Sequence, residues 1–240
     1  MKIIVENVKT LLVALFVAIL IRSLLVQPFY IPSSSMEPTL LVGDRIFVIK
    51  YVYGYSKHSF PFSPNFSNKR FISKNPRQGD LVVFKTPADN RTDYIKRLIG
   101  LPGDEIQFIN GELFINGNKI LRKKSESIKP IRCGNFTFDS ITYIETLPNG
   151  IKHLATYNKT GSLQNTKKYI VPSNHYFLMG DNRDCSKDSR FLEVGYVNNL
   201  NLVGKAKIIF FSNDTKKGSL LKFWNLHNSF RLERSFKILK

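Results

Sequence analysis

The chain has 240 residues, 42% of them hydrophobic, enough for one large domain or two small ones with a packed core. It carries 36 Lys and Arg against 18 Asp and Glu, a net charge of +18; the basic residues are spread along the whole chain and neither zinc-finger nor Walker spacing occurs, so the excess points to anionic lipid or solubility and not to nucleic acid. Two cysteines exclude a disulfide scaffold and, with four scattered histidines, argue against a metal centre.

Residues 10–26, TLLVALFVAILIRSLLV, open the chain with an apolar run broken only near its end by Arg22 and Ser23. Their helical length of about 25 Å approaches the ~30 Å hydrocarbon core. Lys2 and Lys9 precede the run as in a secretory signal, but no Ala-x-Ala-type site follows, so the expectation is an uncleaved transmembrane helix over 10–27 after a short segment 1–9. Charges flank the span on both sides and leave its orientation open.

IPSSSMEPTL (31–40) then sets three serines between two prolines. Beyond it come short Val-, Ile- and aromatic-rich runs that read as strands: 45–53, 80–86, 93–100, 167–171, 175–180 and 203–212. Asn-Gly occurs twice in EIQFINGELFINGNKI (105–120), which predicts a small meander with tight turns. Residues 54–79 read as a loop, and 121–166 as loops with weak strands. The tail, 216–240, is basic and holds Trp224, Phe223, Phe230 and Phe236; it fits either an anionic bilayer surface or a solvated end. The fold class is mainly β behind one helical anchor. Cys133 and Cys185 are expected as free thiols, a bridge being the alternative in an oxidising compartment.

A serine hydroxyl needs a neighbouring base to become a nucleophile. His58, His153, His175 and His227 all lie in contexts that suit ordinary structural or surface histidines. Lys96 interrupts the apolar run of DYIKRLIGLPGD (93–104), and on a strand Tyr94, Lys96 and Leu98 share one face while Arg97 points to the other. An ammonium among apolar groups loses its proton more readily, which would make Lys96 a base near neutral pH. Read alone, the segment also fits an edge-strand lysine with its head in water. MGDNRDCSKDSR (179–190) packs opposite charges among hydroxyls, as a hydrogen-bonded network or a polar turn would.

Taken in order, PSSSMEPTL, GDRIFV (43–48), DYIKRLIGLPGD and GDNRDCSKDSR (180–190) resemble the bacterial type I signal peptidases. The resemblance implies an antiparallel β catalytic domain, shared with LexA-like Ser/Lys proteases, over 28–106 and 171–215, with a smaller β domain inserted at 107–170. It implies Ser35 as nucleophile, Lys96 as general base, Ser33 as an oxyanion donor and Ser186 as the hydroxyl orienting the amine. Asp188 and Arg190 match a supporting ion pair, with Asp181 and Arg183 in the same framework. Phe84, Tyr94 and Leu178 match side chains over the lysine; Phe29, Ile31, Ile46, Val83 and Ile95 match the walls of shallow pockets, with Met36 beside the nucleophile. Met36, Leu40, Leu41 and Val42 would rest the site against a phospholipid membrane. The implied substrates are signal-peptide-bearing preproteins, cut on the extracytoplasmic side of the cytoplasmic membrane without metal or cofactor. Ser34 stands where the family often has Gly, and Cys185 where it often has Asn.

Overall fold

The computed structural model describes residues 2–65, 67–125, 129–134, 136–159, 161, 164–214 and 229–239. The first element, α1 (Lys2–Leu20), continues through a π-helical turn at Ile21–Leu25. Ile3–Leu25 is therefore one apolar stretch long enough to cross a membrane, and almost none of it is covered by the rest of the chain. It starts earlier than the 10–27 expected, because Val5 and Val8 extend the apolar surface past Glu6 and Lys9.

Among the described residues sixteen strands follow: β1 (Val26–Tyr30), β2 (Asp44–Ile49), β3 (Leu81–Lys85), β4 (Asp93–Gly100), β5 (Glu105–Ile109), β6 (Glu112–Ile115), β7 (Asn118–Lys119), β8 (Leu121–Lys124), β9 (Lys129–Cys133), β10 (Phe136–Thr146), β11 (Lys152–Asn158), β12 (Tyr169–Ile170), β13 (His175–Met179), β14 (Val197–Asn198), β15 (Leu202–Ser212) and β16 (Lys237–Ile238). The main sheet runs β1-β2-β15-β3-β4-β13-β14, all antiparallel, with β16 added to β15. β1 escaped sequence detection because Pro28 sits mid-strand; at a sheet edge the missing N–H costs no ladder bond. Register shifts along β15 and β13 bend the sheet. Successive residues of β3 point to opposite faces, and the packing divides accordingly: one cluster is built on Ile31, Met36, Leu40, Ile46, Val48, Val83 and Ile209, and a second on Val82, Phe84, Leu98, Leu178 and Val197.

The insertion forms two small sheets. β12-β5-β6-β7 is the expected meander, and both Asn-Gly pairs take positive φ at each turn position, as the tight hairpin demands. Residues 121–166 differ from expectation: β11-β10-β8, with β9 on β10, is a real sheet with an 11-residue central strand. The basic tail also differs over its described part. Phe230 packs edge-on against Phe211, Arg234 pairs with Asp44 at 2.5 Å, Leu239 is buried, and β16 extends the main sheet. Trp224, Phe223 and His227 lie outside the described residues.

Candidate active site

Ser33, Ser34 and Ser35 leave β1 and enter a single 3-10 turn, Ser34–Met36, whose Met36 side chain is wholly buried. That burial pins the turn to the core and sets Ser35 at the mouth. Met36 and Leu40 thus face inward, and only Leu41 and Val42 of the proposed membrane-facing group are partly exposed. The turn is held from the other side by the 180–190 loop: Asn182 N–H donates to the Ser35 carbonyl at 3.1 Å and Asn182 Nδ2 to the Ser34 carbonyl at 3.1 Å. Gly180 makes this approach possible. A Cβ there would lie 2.5 Å from the Ser35 carbonyl oxygen and 2.2 Å from Ser186 Oγ.

Lys96 comes from the middle of β4 and its Nζ donates to Ser35 Oγ at 2.6 Å, across 61 residues of sequence. Only 4% of Lys96 is exposed. The strand register explains the burial: Val82, Phe84 and Leu178 flank the face that carries Tyr94, Lys96 and Leu98, and Tyr94's ring centre lies 5.4 Å from Nζ. Desolvation lowers the amine's pKa from 10.5 to about 8; Asp188 and Asp181 oppose the shift, and Arg190 adds to it. Ser33 Oγ stands 3.3 Å from Ser35 Oγ. Ser186 is buried in the same place, but its hydroxyl makes no hydrogen bond among the described residues, to Lys96 or to any other group.

The charged framework is more extensive than the motifs indicate. Asp188 and Arg190 pair at 2.8 Å as expected, and Asp188 also accepts from Gly180 N–H. Asp181 and Arg183 do not pair with each other. Asp181 takes two 2.7 Å bonds from Arg97, with a third from Thr39; Arg183 is bidentate to Glu145 on β10, beside His153 and Tyr157. Arg97 and Arg183 hold the Asp181 and Glu145 carboxyls below their usual range against the opposing effect of burial. Arg97, Glu145 and Asn182 were not singled out from the sequence; the sole hint was that Arg97 faces opposite Lys96 on β4. His58, buried against Ser63, and His153 are structural, and no described histidine bonds Ser35.

Cys133 and Cys185 form a disulfide, contrary to the expected free thiols. The β9–β10 hairpin brings Cys133 over the 180–190 loop, a proximity between positions 52 apart that no local pattern reveals. A cleft of about 420 Å³ opens beside Ser35 and Lys96, lined by Phe29, Ile31, Met36, Val83, Tyr94 and Ile95 among others. Ile46, expected as a pocket wall, and Phe84, expected over the lysine, are fully buried and do not line it. A second cleft, of about 470 Å³, meets Ser35 from the Leu41–Val42 side and is bounded by Cys185 and Gly134.

The family described as signal peptidase, peptidase S26, matches residues 4–211. The chain belongs to the S26 signal peptidase family. Signal peptidase I of Rickettsia typhi is 40% identical over 242 residues, 93% of this chain and 89% of that protein. Signal peptidase I of Rickettsia akari is 42% identical over 82% of this chain and 75% of its own length. A solved signal peptidase I from Enterococcus faecalis V583 is 27% identical, with a TM-score of 0.33, over 55% of this chain and 97% of that one. The activity that goes with the family is that of a peptidase that cleaves signal peptides.

Proposed function

We propose that this signal peptidase is a membrane-anchored serine endopeptidase that removes signal peptides from exported preproteins after Ala-x-Ala-type sites, with Ser35 as nucleophile and Lys96 as general base. The observation that carries the reading is the 2.6 Å contact between a desolvated lysine amine and a serine hydroxyl. In its neutral form the amine's lone pair accepts the hydroxyl proton as Oγ bonds to the peptide carbonyl carbon. The Ser35 N–H and the Ser33 hydroxyl stabilise the oxyanion, a contribution of about 3 kcal/mol per donor in other hydrolases. Collapse breaks the C–N bond, and Nζ returns its proton to the leaving amine. Lys96 then takes a proton from the water that hydrolyses the ester. Asp188, Arg190, Asp181 and Arg183 hold the loop that fixes the Ser35 turn.

Substrate recognition follows from the same geometry. β1 is an edge strand beside the cleft, so an extended peptide can add to it through its backbone. The aliphatic walls of Phe29, Ile31, Val83 and Ile95 suit small side chains before the cut. With α1 in the cytoplasmic membrane and the β domain on its extracytoplasmic side, enzyme and preprotein meet in two dimensions.

The test is to incubate purified protein with a preprotein in detergent and sequence the new N-terminus. Wild type is expected to release the mature chain after a small residue; Ser35→Ala and Lys96→Ala are expected to leave it intact while keeping a native melting transition. Turnover by Lys96→Ala near the wild-type rate would refute the dyad.

A further inference from the structure

A cavity of about 330 Å³ lies away from Ser35, where the anchor meets the β domain. Its walls come from the end of the membrane span (Arg22), from β1, from the residue after β2 (Lys50), from the 58–63 turn and from the β3–β4 connection (Arg91). The lining is strongly cationic, and its one acid is already used: Asp93 accepts from Lys85 at 2.9 Å. Among the described residues no carboxylate pairs with Arg22 or Arg91, and their guanidinium groups make no hydrogen bond. Lys50 is 2% exposed and donates to the Ser59 carbonyl.

We propose that this cavity binds the phosphate of an anionic phospholipid headgroup, with Arg22, Lys50 and Arg91 as its cationic donors and Phe62 as an apolar contact to the acyl layer.

Three observations carry the assignment independently of the peptidase reading, though it does rest on α1 being a membrane span. First, position: Arg22 lies in the last turn of the apolar stretch Ile3–Leu25, the level at which headgroup phosphates sit. Second, crowding of like charge: burial and then the neighbouring Arg22 lower the Lys50 pKa to about 8, a cost that a bound phosphate would relieve. Third, the rim: Phe62 is fully exposed at φ 60° next to Phe60 and Pro61, so an apolar tip projects beside the cations, the pairing expected of an interfacial element. Phe29 and Asp93 line both this cavity and the cleft beside Lys96, so an occupied headgroup site would abut the substrate path.

The experiment measures phosphatidylglycerol and phosphatidylcholine retained by the full-length protein after detergent exchange, using native mass spectrometry. Phosphatidylglycerol is expected to be retained in preference, and Arg22→Gln/Arg91→Gln to weaken its retention by roughly 10- to 30-fold. Arg91→Gln alone, an exposed change in a turn, is expected to weaken it about fivefold. Lys123→Gln/Lys124→Gln, which removes the same charge from the inserted sheet, should change nothing, and peptide cleavage in detergent should be unaffected in all these variants. Equal retention of the two lipids overturns the proposal, as do wild-type retention by the Arg22/Arg91 variant and an equal loss in the Lys123/Lys124 variant. Displacement by millimolar inorganic phosphate would show a free-phosphate site and also overturn it. A protein that retains phosphatidylglycerol but cleaves nothing would sink the peptidase reading and leave this one standing.

Discussion

The amine of Lys96 is badly placed for a charge, which is what the proposed role of general base requires. With a pKa near 8, about a tenth of it is neutral at pH 7, so cleavage should rise with pH and level off above about 8. A kcat profile that is flat from about pH 6 to 9 would count against Lys96 as the base. The same shift fixes a stability effect and its sign. The folded pKa lies below the unfolded 10.5, so between about 8 and 10.5 the unfolded chain binds more protons, and stability should increase with pH across that window. Below it the buried ammonium costs on the order of 3 kcal/mol. Lys96→Met keeps the stem and removes the charge; it is expected to raise the melting temperature at pH 7 while abolishing cleavage. Gly180→Ala acts in the opposite way. Its methyl would meet a backbone carbonyl at 2.5 Å, so the Ser35 turn must shift; kcat should fall at least tenfold, and a near-wild-type kcat would show that the turn yields freely. At this scale Ser35, Lys96 and the Asp188–Arg190 pair were legible because short motifs carry them. Arg97–Asp181 and Arg183–Glu145 were not, since their partners lie 84 and 38 positions apart and only the folded chain selects among the available acids.

The inserted sheet acts as the back support of the loop that holds Ser35. Thr156 on β11 exchanges backbone bonds with Asp181 and Arg183, Asn158 N–H donates to Asp184, Glu145 on β10 takes Arg183, and Cys133 closes the hairpin onto Cys185. The sequence hid this sheet for a physical reason. Along β10 the buried positions include Ser140, Thr142 and Glu145, so the inward face is partly polar and the alternation that marks a half-buried strand is blurred. The β5–β7 meander, by contrast, buries Ile106, Phe108, Leu113 and Ile115 between Asn-Gly turns and was readable at once. Closing a loop between positions 52 apart should stabilise the fold by about 2–4 kcal/mol, so Cys133→Ser/Cys185→Ser is expected to melt earlier by several degrees. Because the bond also bounds the second cleft at Ser35, adding dithiothreitol should lower cleavage below the melting point of the reduced protein. Unchanged turnover, with mass spectrometry showing two free thiols, would limit the bond to stability alone.

At the scale of the whole molecule, almost nothing among the described residues covers α1. Leu12 is 59% and Phe16 62% exposed in the middle of a 23-residue apolar stretch, which would be untenable in water and is ordinary in lipid. At 1.5 Å per residue the stretch reaches about 35 Å, long enough to span a ~30 Å core with modest tilt. β1 starts one residue after it, Lys50 N–H donates to the Leu25 carbonyl, and Tyr55 donates to the Leu24 carbonyl, so the β domain is fastened directly to the end of the span. With α1 in a membrane, this coupling would keep the cleft close to its surface without Met36 or Leu40, both buried, entering it. Leu12→Arg/Phe16→Arg should cost about 5–7 kcal/mol of insertion while touching nothing in the β domain. The variant is expected to leave the membrane on alkaline extraction, where wild type stays in the pellet. Its turnover of a short soluble peptide in detergent should match wild type, and its cleavage of a membrane-held preprotein should drop sharply. Equal cleavage of the membrane-held substrate by both proteins would mean that cleavage needs no bilayer to bring its substrate, and α1 would then serve retention alone.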